Sequence, residues 1–386
     1  ADPAAPASNP ASTGSDPAPK GTPTPKDEAK SDDKNAAVQS VYFVPFTGEF
    51  GRKICPTPLQ EVMADARKAS PDYLVFVFNC DFSFDGESGT DGVRQSLLTW
   101  NRGLSVASDM STIMTDAIRD DKTWTKKPKV IGWVRRALGP SALLPLALKD
   151  LYYSNDARHG GIGYLDYILG GVDETVRQKQ ISLREAAAKG LGNKGGYDER
   201  LILAMTKASY VLSMSMVGGK PEYHEDRTGE ETLTDSGLGG ERDTIEDIAR
   251  GTANDTLTLN AQMARKLNVA KGIADNRDEL LFELGLTRTA KIVEGKAGKI
   301  FDAWQRAVDK AERDIPDFME KAQAVTVRGS TPSERNQARG QQIGYYRQAR
   351  DLVKRYMEVL RDDGQQLLGE LNKRIELLTQ QMSYDR

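Results

Sequence analysis

The stretch Lys129–Gly163, KVIGWVRRALGPSALLPLALKDLYYSNDARHGGIG, constrains this protein more than any other. Val130 to Val134 is an apolar run of the length of a buried strand. Leu138-Gly139-Pro140-Ser141 reads as a turn. An apolar segment of helix length follows, Ala142 to Leu148. A second short strand, Leu151 to Tyr153, leads to a glycine-rich turn at Gly160, Gly161 and Gly163. A strand that enters a helix through a tight Gly/Ser turn is a place to present a nucleophile. Ser141 in the same place can instead cap the helix by accepting from its orphan N–H groups. Spacing leaves both roles open.

The flanking sequence sets this unit in a larger alternation. Order is expected to begin near Val38, with VYFVPFTGEF as a strand closed by a turn at Gly48. Pro56-Thr57-Pro58 then opens a helix in which Leu59, Val62, Met63 and Ala66 form one apolar stripe. The helix stops before Ser70-Pro71. Leu74 to Phe78, LVFVF, is apolar throughout, the pattern of a strand covered on both faces. NCDFSFDGESGTDG follows as a polar loop, and helical periodicity resumes from Leu104 to Ile118. A β-α-β-α order of this kind predicts a largely parallel sheet with right-handed crossovers.

After Gly163 the pattern turns helical. Asp173 to Lys189 and Glu199 to Met216 read as two helices separated by GLGNKGG, and Pro221 to Thr234 as a polar ribbon or loop. Thr256 to Leu259 introduces a helix over Asn260 to Leu267, and another spans Asp278 to Leu286. From Thr287 glycine becomes rarer and Arg, Lys, Glu and Gln dominate. Val353, Leu360 and Leu367 recur every seven residues, and Leu371, Ile375, Leu378 and Met382 continue the stripe. This predicts a long helical hairpin over 287–386, broken near Gly329-Ser330-Thr331-Pro332. It can pack on the main domain or protrude as a coiled coil toward another protein.

Composition removes several classes of function. The net charge of −3 over 386 residues provides no polybasic field, so nucleic acid is not an expected partner. Two cysteines, Cys55 and Cys80, make neither a disulfide scaffold nor a zinc site, and whether they pair is left open. His159 and His224 are the only histidines, too few for a conventional metal site. Asp81, Asp85, Glu87 and Asp91 lack the bidentate glutamate of an EF-hand loop, so no metal is assigned. GLGNKGG lacks the Walker pattern and the strand context of a dinucleotide site, so no cofactor is expected. No window approaches the roughly 18 apolar residues of a membrane span. Residues 1–37 are rich in Pro, Ala, Ser, Asp and Lys, a composition that does not offset its own ordering entropy. They are expected to be a disordered linker left after removal of an export signal, which places the protein in the periplasm or cell envelope.

Several segments, in order, resemble the Clp-protease/crotonase superfamily, nearest to signal peptide peptidase A and the stomatin-operon-type membrane-associated serine proteases. VYFVPFTGEFGRKICPTPLQEVMADARKASPDYLVFVF is similar to that family's opening strand-Gly-helix-strand unit. KPKVIGWVRRALGPSALLPLALKDLYYSNDARHGGIG is similar to its active-site strand, nucleophile turn, helix and GxIG turn. REAAAKGLGN and LTLNAQMARKLNVAKGIADNRDELLFELGL resemble the later helix and the closing segment. The resemblance implies an α/β fold, a Clp/crotonase-like repeated β-β-α parallel-sheet core over 38–286, carrying the C-terminal helical hairpin. It further implies a homo-oligomer, a peptide or protein substrate or partner, and an envelope protein as a further candidate partner.

The family's chemistry is a Ser–Lys dyad with backbone N–H groups holding the oxyanion. Carried over, it would make Ser141 the nucleophile and Lys179, or Lys189, the base. Three departures stand against it. A gapless count from Lys149-Asp150 places Gly139, not Ser141, at the nucleophile position. Asn79-Cys80-Asp81-Phe82-Ser83 replaces the Pro-Gly-Gly oxyanion turn. The dyad lysine falls near Glu174 or Thr175. The expectation is therefore a catalytically degenerate member acting as an oligomeric peptide- or partner-binding scaffold. The alternative is an active serine endopeptidase that cleaves peptides or membrane-protein segments.

Overall fold

The computed structural model describes residues 37–81, 103–162, 174–207, 210–235, 243, 254–360 and 363–385. Nearly all of the expected linker, Gly163, and Asp85, Glu87 and Asp91 of the acidic loop lie outside these residues. Strand β1 (Gln39–Glu49), helix α1 (Pro56–Ala69) and strand β2 (Tyr73–Asp81) form the first unit. The α1 stripe of Leu59, Val62, Met63 and Ala66 is buried, and the helix ends at Ser70 in a left-handed conformation, its N–H donating to the carbonyls of Ala66 and Arg67. A helix over 103–111 runs through a π-helical turn at Thr112–Asp116 into Ala117–Asp120, together α2. Strand β3 (Lys129–Leu138), a 3-10 turn (Gly139–Ala142), the short helix α3 (Leu143–Leu146) and strand β4 (Leu151–Gly160) follow.

The main sheet runs β10-β1-β2-β3-β4, with β10 (Ala290–Val293) at one edge; β8 (Thr258–Leu259) and β9 (Gly272–Ile273) both pair with β4. Every pairing is parallel except β4 with β8. Helices lie on both faces, so successive side chains of one strand enter different cores. Leu74, Phe76 and Phe78 join the larger core, where the ring of Phe46 lies 5.4 Å from Phe76. Val75 joins the smaller core with Phe43, Ile131 and Trp133, covered by Leu280 and Leu281 of α7 (Arg277–Glu283). The result is a mostly parallel α/β architecture, as expected from the β-α-β-α order of the sequence.

Three expectations change. Ala142–Leu148 is not one helix but a 3-10 turn followed by a single turn of α-helix. GLGNKGG does not separate two helices: α4 (Glu174–Gly195) runs through it. Gly192 is where α5 (Glu199–Thr206) packs, since a Cβ there would lie 2.5 Å from Cγ1 of Ile202. The segment expected as helix to Met216 stops at Thr206, and Leu212–Val217 becomes β5, the middle strand of a second, antiparallel sheet with β6 (Lys220–His224) and β7 (Glu231–Thr234). LSMSMV alternates with period two, and Leu212 and Met214 are buried, so pairing with β6 and β7 prevails over helix propensity.

After α6 (Ala261–Lys266), α7 and β10, the C-terminal hairpin consists of α8 (Ala297–Ala324) and α9 (Pro332–Arg355), with a further helix, α10 (Asp363–Tyr384), folded against it. Thr331 caps α9 in a capping box with Glu334, at the break expected from sequence. The near half of α8 docks on the main domain. Arg52 bonds Asp309 at 2.7 Å and Glu312, and the indole of Trp304 donates to the Arg52 carbonyl at 2.9 Å. Farther along, Ile315 and Ala322 share a separate small core with Tyr346, Ala349, Val353 and Leu371. The hairpin thus packs on the main domain with its near half and around a separate small core with its far half. No disulfide joins Cys55 and Cys80; both thiols are buried. No helix among the described residues is long and apolar enough to cross a membrane.

Candidate functional site

The C-terminal ends of β3 and β4 carry the residues singled out from sequence. Pairing of β3 with β4 is regular to Val134↔Tyr153 and resumes at Arg136↔Arg158. Between those points β3 advances two residues and β4 five, so Ser154–Ala157 bulge out of the ladder. Beyond the bulge Ala137 faces His159 and Leu138 faces Gly160. Gly139 then turns with φ 64°, a left-handed conformation that favours glycine. The turn is covered on its other side by the start of α2, where a Cβ on Gly103 would lie 2.4 Å from the Pro140 ring.

Ser141 sits inside this turn with no exposed surface. Its Oγ donates to the carbonyl oxygen of Leu138 at 2.8 Å. It does not cap the following helix, which has no side-chain cap bond. The hydroxyl instead closes its own turn back onto the end of β3. Gly139, at the gapless nucleophile position, has no side chain to offer.

His159 is the polar group that faces this turn from β4. Nε2 of its fully buried ring lies 2.8 Å from the carbonyl of Ala142, and Nδ1 lies 2.5 Å from the hydroxyl of Tyr153. A carbonyl only accepts, so Nε2 carries the proton, Nδ1 accepts, and Tyr153 donates. Both nitrogens are then used. Burial pushes the imidazole pKa down from 6.5 to about 4, against the opposing pull of the Ala142 carbonyl. Burial likewise pushes the Tyr153 phenol well up. The chain Tyr153–His159–Ala142 is neutral and ties β4 to the Ser141 turn.

The lysines stand elsewhere. Lys179, on the first half of α4, is exposed. Lys189 is ion-paired with Glu199, and Lys194 with Asp116 at 2.8 Å. Among the described residues no lysine bonds Ser141. The Gly160-Gly161 turn is used structurally: the Gly161 N–H donates to the Leu257 carbonyl at 3.1 Å, and a Cβ on Gly160 would lie 2.3 Å from the same oxygen. After β2, the stretch expected to hold an oxyanion leaves the described residues beyond Asp81. His224, on β6, pairs with Ser213 across the second sheet.

The link between Tyr153 and His159 was not legible from spacing. Six residues of regular strand span ~20 Å, yet the two rings lie 5.8 Å apart because the bulge takes up the intervening residues. Their even separation, which puts both on one face of a strand, was the available signal. Among the described residues no group of three or more His, Cys, Asp or Glu side chains is arranged to hold a metal ion.

No family model matches the sequence, and no curated protein does. Solved structures do match. A mutant of the 1510-N membrane-bound stomatin-specific protease, in complex with a substrate peptide, is similar over 67% of this chain and 92% of that one, at 10% identity and a TM-score of 0.38. Another mutant of that protease is similar over 67% of this chain and 99% of its own, at 11% identity and a TM-score of 0.36.

Proposed function

We propose that this protein is a non-catalytic scaffold, a Clp/crotonase-like domain that binds a peptide or protein partner and uses the Ser141 turn as a structural strut. The observation that carries this reading is the bonding of Ser141. A serine nucleophile needs a base within hydrogen-bond reach and an open face for the acyl group. Ser141 is buried, its proton is directed to the Leu138 carbonyl, and the nearby imidazole has both nitrogens engaged. A lysine base has to be desolvated to give up its proton, whereas Lys179 is exposed to solvent. Assembly of several copies belongs to the same proposal, with the C-terminal hairpin as the element that contacts another protein. Light scattering that gave a monomer at every concentration would remove that part.

The test is intact-mass labelling of the full-length protein by a fluorophosphonate, with Ser141→Ala as control. The scaffold reading expects no adduct on folded protein. A single adduct that disappears in the variant would overturn it and establish a serine hydrolase, with Lys179 and Lys189 as the first candidates for the base.

A further inference from the structure

Helix α4 presents one apolar stripe to the core, in which Ile181, Ala188 and Leu191 are 4%, 0% and 4% exposed. Arg184 falls on the same stripe, three residues after Ile181 and four before Ala188. The helix packs against α3 and α5, and Arg184 is partly buried on it. Its Nη1 is buried and has no hydrogen-bond partner.

Three other half-buried guanidinium groups are matched to carboxylates. Arg52 meets Asp309 and Glu312, and Arg335 and Arg339 both meet Asp385. Among the described residues Arg184 has no such match. The adjacent Glu185 is held by Lys207 at 2.7 Å. Burial lowers the proton affinity of Arg184, and no acid acts in the other direction. A guanidinium keeps its proton at any accessible pH, so it does not escape by neutralising itself. A partly buried guanidinium with one unpaired N–H is costlier than one whose donors are all satisfied, and an anion that supplies the missing acceptor removes that cost.

We propose that Arg184 is the recognition point for a carboxylate of a bound peptide or protein. The planar fork of a guanidinium matches the two oxygens of a carboxylate, which gives geometry as well as charge. This deepens the binding role proposed above and rests on it for the source of the carboxylate. Two sources share that chemistry, the terminal carboxylate of a polypeptide and an acidic side chain.

The experiment uses the full-length protein at constant ionic strength and follows its melting temperature. The probes are N-acetylglycine, its uncharged amide, and N-acetyl-aspartate α-amide. The expected result is a saturable rise with one or both carboxylates and none with the amide. Arg184→Gln should weaken the apparent affinity at least tenfold, and Arg184→Lys should keep part of it. Response to N-acetylglycine alone assigns a terminal carboxylate, response to the aspartate compound alone assigns an acidic side chain, and equal responses show that Arg184 takes a carboxylate of either origin. Equal responses to acid and amide, or an Arg184→Gln protein that responds like the parent, would overturn the proposal. Fluorophosphonate labelling of the same sample separates this from the scaffold reading, since an adduct on Ser141 leaves the carboxylate response to be judged by itself.

Discussion

Replacing His159 by glutamine and comparing both proteins between about pH 7 and about pH 4.5 tests the lock between β4 and the Ser141 turn. In the fold the imidazole pKa is lowered from 6.5 to about 4 by burial. The unfolded state therefore takes up this proton first. The contribution of His159 to stability is complete above pH 6.5 and is lost as pH falls toward 4. A tenfold change in proton affinity is about 1.4 kcal/mol, so the whole interval is worth ~3 kcal/mol, most of which is lost by pH 4.5. Structure explains the direction. Protonation would make both ring nitrogens donors, while Tyr153 already directs its own proton at Nδ1. At neutral pH the glutamine variant should be less stable by about 1–3 kcal/mol, because the Tyr153 hydroxyl loses its acceptor in a buried site. At pH 4.5 most of that gap should have closed. Urea unfolding followed by tryptophan fluorescence measures it, and carboxylates such as Asp72, held at about 2 by Lys126, affect both proteins alike. A gap that stays constant across the pH range would refute the reasoning, since it would mean that the folded and unfolded states protonate His159 equally.

Ser141→Ala should lower stability by ~1 kcal/mol in the same urea assay, because the Leu138 carbonyl loses a buried donor; a neutral result would show that the hydroxyl does not brace the turn. Gly139→Ala should cost about 1–2 kcal/mol from its left-handed φ of 64° alone. Gly160→Ala should be more damaging, since the added methyl would meet the Leu257 carbonyl at 2.3 Å, and soluble yield and melting temperature would report it. Arg52→Ala should release the near half of α8 from the main domain, and hydrogen exchange should rise across Trp304 to Glu312 while the core around Tyr346 and Leu371 stays protected.

Much of the fold was legible in the sequence because it follows from local patterns. LVFVF carries the pattern of a strand covered on both faces, and Leu59, Val62, Met63 and Ala66 the stripe of a helix against a core. The break at Thr331-Pro332 carried its own capping box. Pattern failed where a partner element decided the outcome. LSMSMV became a strand because β6 and β7 pair with it, and GLGNKGG stayed helical because Ile202 packs against Gly192.

The residues at the Ser141 turn divide in the same way. Sequence alone determined that a serine follows a Gly-Pro turn at the end of an apolar strand and that histidine is scarce. Only the structure decided that Ser141 bonds the Leu138 carbonyl, three residues back at the end of β3, rather than the N–H groups of the helix that follows. Only the structure brought Tyr153, His159 and Ala142 into one hydrogen-bonded series, and only the structure left Arg184 partly buried with no carboxylate among the described residues. The physical reason is common to these cases. Periodicity records which side of an element is buried, whereas hydrogen-bond partners and counter-charges are set by register, bulges and the packing of elements far apart in sequence.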